Sequence, residues 1–116
     1  MKKPYPNIIK IVTAALTIFL STCSASADIT AIPEGALIVD VRTPGEYSAG
    51  HFPGAVSIPL DTVEKRLSEF GNKHRTIVVY CRSGRRSGIA QQILKDAGYT
   101  DVRNGGGLSH MMSMKK

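Results

Sequence analysis

Cys81 opens the stretch Cys81-Arg82-Ser83-Gly84-Arg85-Arg86-Ser87, in which a thiol is followed closely by three arginines, a glycine and two serines. The thiolate, not the thiol, is the nucleophile, and a positive surrounding lowers the thiol pKa. A loop of this composition can turn successive backbone N–H groups inward as an anion cradle. Gly84 permits a backbone shape that other residues resist. The bland alternative is a small buried Cys beside a solvated basic turn. It leaves unexplained why the arginines and the glycine follow the thiol so directly. The chemistry indicated is nucleophilic attack on a small anion.

The elements around this stretch place it. Thr76-Ile77-Val78-Val79-Tyr80 is the strongest strand signal in the chain, and Cys81 immediately follows it. Ser87 to Ala97 reads as a helix with Ile89, Ala90, Ile93, Leu94 and Ala97 as its apolar stripe and Gly98 as its stop. The N-terminus of that helix contributes unsatisfied N–H groups and the positive end of its dipole. Upstream, Ala36-Leu37-Ile38-Val39-Asp40-Val41 reads as a strand buried on both faces. Thr43, Pro44 and Glu46 form a capping box for a brief helix, and Gly50-His51-Phe52-Pro53-Gly54 is a turn. Ala55-Val56-Ser57-Ile58 is a short strand. Asp61-Thr62-Val63-Glu64 is a second capping box, opening a helix to Phe70 with Val63, Leu67 and Phe70 on one face and Gly71 as its stop. Thr100-Asp101-Val102-Arg103 is a last short strand, and Gly105 to Lys116 reads as a flexible hydrophobic tail. Strands alternating with helices give a doubly wound parallel α/β sheet through right-handed crossovers. Sites in such sheets form beyond the carboxyl ends of the strands, which is where Cys81 lies.

The start of the chain reads differently. Lys2, Lys3 and Lys10 are basic, Ile11 to Leu20 is uncharged and mostly apolar, and Ala25-Ser26-Ala27 is a small-x-small site. This is the pattern of a cleaved secretory signal peptide over residues 1–27. The apolar run is too short for a membrane span, which needs about 20 residues. A lipoprotein signal would use Cys23, but Thr22 before it fits that pattern poorly. Cleavage leaves residues 28–116 as one domain, without a stable membrane anchor. It also removes three of the 15 basic residues and no acidic one, halving the formal charge of +6. Much of the basicity therefore serves targeting, and a nucleic-acid partner is not expected. Cys81 becomes the sole thiol, unable to form a disulfide within its own chain. With 116 residues, 42% of them hydrophobic and 21% charged, the chain is neither a disordered tail nor a multi-span membrane protein.

The stretch from Cys81 to Ser87 resembles the active-site loop of rhodanese-like sulfurtransferases. Asp40-Val41-Arg42 with Glu46-Tyr47 is similar to the family's first motif. Gly50-His51-Phe52-Pro53-Gly54-Ala55-Val56-Ser57-Ile58-Pro59 is similar to its second. Gly98-Tyr99, Val102 and Gly105-Gly106-Gly107 follow the C-terminal pattern. The resemblance covers residues 36–108 in order. With the leader and the small size, the chain is most similar to the single-domain periplasmic members of the phage-shock type. It departs from many relatives in having a shorter segment before Ala36. It also lacks the Trp that they carry after the glycines, and it ends in Met111-Met112-Ser113-Met114.

The resemblance implies a thiosulfate sulfurtransferase working through a Cys81 persulfide, with cyanide or a thiol as acceptor and no metal or organic cofactor. Arg82, Ser83, Gly84, Arg85 and Arg86 are then the candidate substrate-binding residues. Asp40, Arg42 and Ser87 are the supporting ones. Arg82 and Arg85 radiate outward to capture the donor, while Arg86 closes the loop and is expected to grip a carboxylate such as Asp40. Asp40 can instead take loop N–H groups or pair with Arg42, and Arg42 lies at helical-turn range of Glu46. His51 is expected to be structural. Met111, Met112 and Met114 lack the fixed His or Cys partners that a copper site would have. Two rivals differ in class. Cys-dependent phosphatases and arsenate reductases close their loop as Cys-x-x-x-x-x-Arg, a position held here by Ser87, with Arg86 one residue early. A sulfur-carrier or binding module with a protein partner is the other, although inactive relatives typically lose the Cys that this chain keeps.

Overall fold

In the computed structural model, which describes residues 27–116, every residue of the strand Ile77–Cys81 is buried. Its apolar, largely β-branched run meets this requirement because strands flank both its edges and both its faces are covered. The expected leader and Cys23 lie outside the described residues, Ala27 excepted. In chain order the elements are β1 (Leu37–Asp40), α1 (Pro44–Ala49), β2 (Val56–Ser57) and a 3-10 helical segment (Leu60–Phe70). They continue with β3 (Ile77–Cys81), α2 (Arg85–Asp96), β4 (Val102–Gly107) and α3 (Leu108–Ser113). The four strands form one parallel sheet in the order β2-β1-β3-β4. This is the doubly wound α/β architecture expected. No helix among the described residues is long and apolar enough to cross a membrane.

The two-residue period of the strands sorts their side chains. Val39, Val41, Ile77, Val79, Cys81 and Val102 pack with Val63 and Phe70 of the 3-10 segment and with Ala90 and Leu94 of α2. Val78 and Tyr80 face the other way, toward Ile29, Phe52, Ala55 and Met111. Cys81 therefore shares its face with α2, while Tyr80 and its register partner Asp40 belong to the opposite face.

Five elements differ from expectation in type or in where they begin or end. The segment after Pro59 is a 3-10 helix without the Asp61–Glu64 capping box. The Pro59 carbonyl takes both the Thr62 N–H, at 2.8 Å, and the Thr62 hydroxyl, at 2.9 Å, which closes the first turn with three-residue spacing. Helix α2 begins at Arg85 rather than Ser87, because Gly84, at φ +99°, turns the chain directly into it. Cys81 is the last residue of β3 rather than the first residue past it. Strand β4 runs on through Gly105–Gly107, and the expected flexible tail is helix α3 with Met111 fully buried. The glycines allow this packing. A Cβ on Gly105 would press on Met111 and Val78, and one on Gly107 would strike the Arg82 carbonyl.

Candidate functional site

Cys81 Sγ lies at the floor of the turn joining β3 to α2, where strand parity aims it at the start of the helix. The Gly84 N–H donates to it at 3.0 Å, and the Ser87 hydroxyl lies at 3.5 Å. Burial pushes the thiol pKa up, but donation to the thiolate from the Ser87 side chain and from the backbone of Ser87, Ser83 and Gly84 outweighs it. The net direction is down, as the loop's composition predicts. Backbone donors converging on one sulfur are suited to holding negative charge there.

The side chains of the loop point elsewhere. Arg82 and Arg85 are exposed and make no ion pair among the described residues. Ser83 is exposed, with its hydroxyl 3.4 Å from the Arg85 N–H. Arg82, Arg42, Glu46, Leu108 and Met112 line a cleft of about 650 Å³ beside the loop. This is far more room than a five-atom dianion needs, since each water in the liquid occupies only about 30 Å³.

The pairing of the inner charges corrects the expected scheme. Arg86 does not reach Asp40. It grips Glu46 of α1 through two bonds, at 2.8 and 3.1 Å. Arg42 in turn does not pair with Glu46. Its Nε and Nη2 close on the Asp40 carboxylate, which also accepts the Arg42 backbone N–H and the Tyr80 hydroxyl. Asp40 takes no loop N–H, because it lies on the Tyr80 face of the sheet and Cys81 on the other. The remaining reach of Arg42 goes to the Gly50 carbonyl at the end of α1, at 2.7 Å. Glu46 thus serves twice. It completes the Thr43 capping box as expected, and it ties α1 to the first turn of α2. The Arg86 guanidinium, with the Thr43 N–H, lowers its pKa to about 2.

His51 keeps the structural role expected of it, stacked on Tyr47 at 3.7 Å with Nδ1 at 2.9 Å from the Tyr47 carbonyl. One residue of the site is absent from the sequence reading. Asn104, buried in β4, donates to the Gly84 carbonyl at 2.9 Å and accepts the Ser87 hydroxyl at 2.7 Å. Its signal in the sequence is a polar residue two places after Val102, on the same inward-facing side of the strand.

With this geometry in hand, comparison with known proteins is specific. The family described as Rhodanese-like domain matches residues 27–109. The thiosulfate sulfurtransferase PspE of Escherichia coli K12 is 44% identical over 78 residues, covering 66% of this chain and 75% of that protein. A sulfurtransferase of Allochromatium vinosum is 44% identical over 71 residues, covering 61% of this chain and 65% of that one. Among solved structures, an E. coli rhodanese with anions superposes with a TM-score of 0.62 at 43% identity, covering 65% of this chain and 89% of that one. The human single-domain sulfurtransferase TSTD1 superposes with a TM-score of 0.63 at 28% identity, covering 70% and 84%.

Proposed function

The chain belongs to the Rhodanese-like domain family, and from that premise we propose that it is a thiosulfate sulfurtransferase working through a persulfide on Cys81. The observation that carries the reading is a sole described thiol seated under the Gly84 N–H, with further backbone donors around it. The Cys81 thiolate attacks the outer sulfur of thiosulfate. The sulfur–sulfur bond of the donor breaks, its electron pair leaves with sulfite, and a new sulfur–sulfur bond joins Cys81. Cyanide or a thiolate then attacks the outer sulfur, and Cys81 departs as a thiolate stabilised by the loop N–H groups. Intact-mass measurement after incubation with thiosulfate tests this. One added sulfur atom, removed by cyanide, is expected. No gain would overturn the persulfide, and a gain that no small nucleophile removes would favour a carrier module instead.

The arginines divide the remaining work. Arg82 and Arg85, exposed and in no ion pair among the described residues, serve donor capture. Arg86, held by Glu46, serves loop shape. Arg85→Ala is expected to raise the KM for thiosulfate by about ten- to a hundredfold, the value of one charge-assisted contact, with a smaller effect on kcat. Added salt should narrow the difference. Arg86→Ala should instead lower kcat and Tm together, and Glu46→Gln should reproduce it. Because the folded pKa of Glu46 is depressed, the ion pair's contribution is fully present above the ordinary carboxylate range and is lost as pH falls toward about 2. The Arg86→Ala deficit should accordingly be flat with pH across the neutral range. Identical behaviour of Arg85→Ala and Arg86→Ala would reduce the arginines to a diffuse positive field.

We also propose that the domain acts in the periplasm after export. The motive is the signal-peptide pattern of residues 1–27, and Asp28, the first residue past the expected cleavage site, is already bonded to Asn104 of β4. N-terminal sequencing of the exported protein should begin at Asp28. A lipid-bearing start at Cys23 would overturn the soluble form.

A further inference from the structure

Asn104 is 3% exposed, and every hydrogen-bonding position of its amide that reaches the site is engaged. Nδ2 donates to the Gly84 carbonyl at 2.9 Å. Oδ1 accepts the Gly106 N–H at 2.9 Å and the Ser87 hydroxyl at 2.7 Å. The two backbone groups fix which way the amide faces, since a carbonyl only accepts and an N–H only donates. Oδ1 is therefore an acceptor, and the short contact must carry the Ser87 proton. A serine hydroxyl has only one proton to give. With that proton on Asn104, the lone pairs of Ser87 Oγ face Cys81 Sγ at 3.5 Å.

This arrangement suits a neutral thiol, whose S–H has Ser87 Oγ to point toward. A thiolate offers only lone pairs, and two sets of lone pairs facing each other repel. When the sulfur ionises, its proton leaves to solvent. The Ser87 hydroxyl must then rotate about Cβ–Oγ to donate to the sulfur, and Oδ1 keeps the Gly106 N–H alone. Apart from the S–H bond, whose electron pair stays on the sulfur, no covalent bond of the protein changes. We propose that Asn104 is a positioning residue that competes with Cys81 for the single Ser87 proton, holding it while the sulfur is neutral and releasing it when the sulfur is anionic. The amide acts in two opposed ways. Its oxygen withholds a donor from the sulfur, while its nitrogen fixes Gly84, whose N–H is already given to the sulfur.

In turnover, which rests on the proposed sulfur transfer, a thiolate arises twice: before attack on the donor, and again when the acceptor removes the outer sulfur. The exchange of the Ser87 proton itself requires no substrate. The charged and titratable groups around the sulfur are Arg82 and Arg85 of the loop, Arg86 with Glu46 from α1, and the Asp40–Arg42 pair with Tyr80 behind the sheet. Beside Asn104 rather than the sulfur, the Asp28 carboxylate accepts the Asn104 backbone N–H at 3.0 Å, and His110 of α3 is tied to the Ile29 carbonyl. Asn104→Ala and Ser87→Ala alter none of these groups, whereas Asn104→Asp adds a carboxylate to them.

The test is the pH dependence of iodoacetamide alkylation at Cys81, read from the Cys81 peptide by mass on the full chain without any sulfur donor. Ser87→Ala should raise the midpoint, because it removes a donor from the thiolate. Asn104→Ala should lower it by about half a unit, or roughly threefold more thiolate below the midpoint. The lowering should vanish when Ser87 is alanine. A purely structural role would give the opposite sign, since releasing Gly84 loosens its N–H from the sulfur. Asn104→Asp keeps an acceptor and strengthens it, so it should raise the midpoint, and by less when Ser87 is alanine. A raised midpoint in Asn104→Ala, or an Asn104→Asp shift that ignores Ser87, overturns the proposal. Normal alkylation shifts in a protein that never gains sulfur from thiosulfate would sink the sulfurtransferase reading and leave this one standing.

Discussion

Replacing Cys81 with serine is expected to reduce sulfur transfer by on the order of 10⁴-fold or more, the scale on which loss of a catalytic nucleophile is felt. The variant should neither gain sulfur from thiosulfate nor release sulfite in a first turnover. The reason is chemical rather than architectural. A serine oxygen is a weak nucleophile at its own pKa, and among the described residues the bonds to Cys81 Sγ come from the Gly84 N–H and the Ser87 hydroxyl, not from the base that serine enzymes use. The fold should survive. The substitution changes one atom on a buried side chain whose site already offers the Gly84 N–H at 3.0 Å to whatever acceptor stands there. A change of about 1 kcal/mol would move Tm by roughly 4–8 °C in a domain of this size, and a larger drop is not expected. Thermal melts run beside sulfite-release kinetics separate the two effects. Retained turnover in a folded variant would show that the sulfur is carried elsewhere.

The sequence made the position of Cys81 legible because a short apolar strand is a strong local signal, and a residue at its C-terminal end must lie at the sheet's carboxyl edge. The α1 cap was legible for the same reason, since Thr43, Pro44 and Glu46 act on one another within a single turn. Partner choice among the charges was not. Asp40, Arg42 and Glu46 lie within seven positions, and spacing alone favours Arg42 with Glu46 as much as Arg42 with Asp40. What decides is which face of the sheet each side chain occupies. Asp40 stands in register with Tyr80 and takes its hydroxyl, which draws Arg42 inward and leaves Glu46 free for Arg86, forty residues away. Helix α3 escaped notice because its helical character depends on Met111 finding the gap above Gly105, a contact that no local pattern encodes. Asn104 was hidden likewise, its role depending on Gly84 and Ser87 across the β4–α2 interface.

Arg42→Met is expected to cost about 3–5 kcal/mol of folding stability, the range seen when one partner of a buried ion pair is removed. Asp40 is fully buried and the Arg42 side chain is 7% exposed, so water cannot replace the lost partner. The carboxylate would retain only the backbone N–H of residue 42 and the Tyr80 hydroxyl. Tyr80 remains a donor through the neutral range, because burial pushes its phenol pKa up, with the Asp40 bond adding to the rise and the Phe52 N–H bond opposing it. The loss would be large beside the roughly 5–15 kcal/mol that holds an ordinary domain together. Much of it should return in the double variant Asp40→Leu with Arg42→Met, since the cost comes from stranding one charge and not from the absence of the pair. There the Tyr80 oxygen still accepts the Phe52 N–H at 2.9 Å. A functional readout accompanies the structural one. Arg42 also secures the Gly50 carbonyl and lines the cleft beside the loop, so at temperatures where the variant is folded its KM should rise even though its loop sequence is intact. Denaturant unfolding of the two single variants and the double variant measures the coupling directly. A cost below about 1 kcal/mol for Arg42→Met, within the range of an exposed pair, would mean that Asp40 is held by Tyr80 and the backbone alone and that the guanidinium is incidental to the fold.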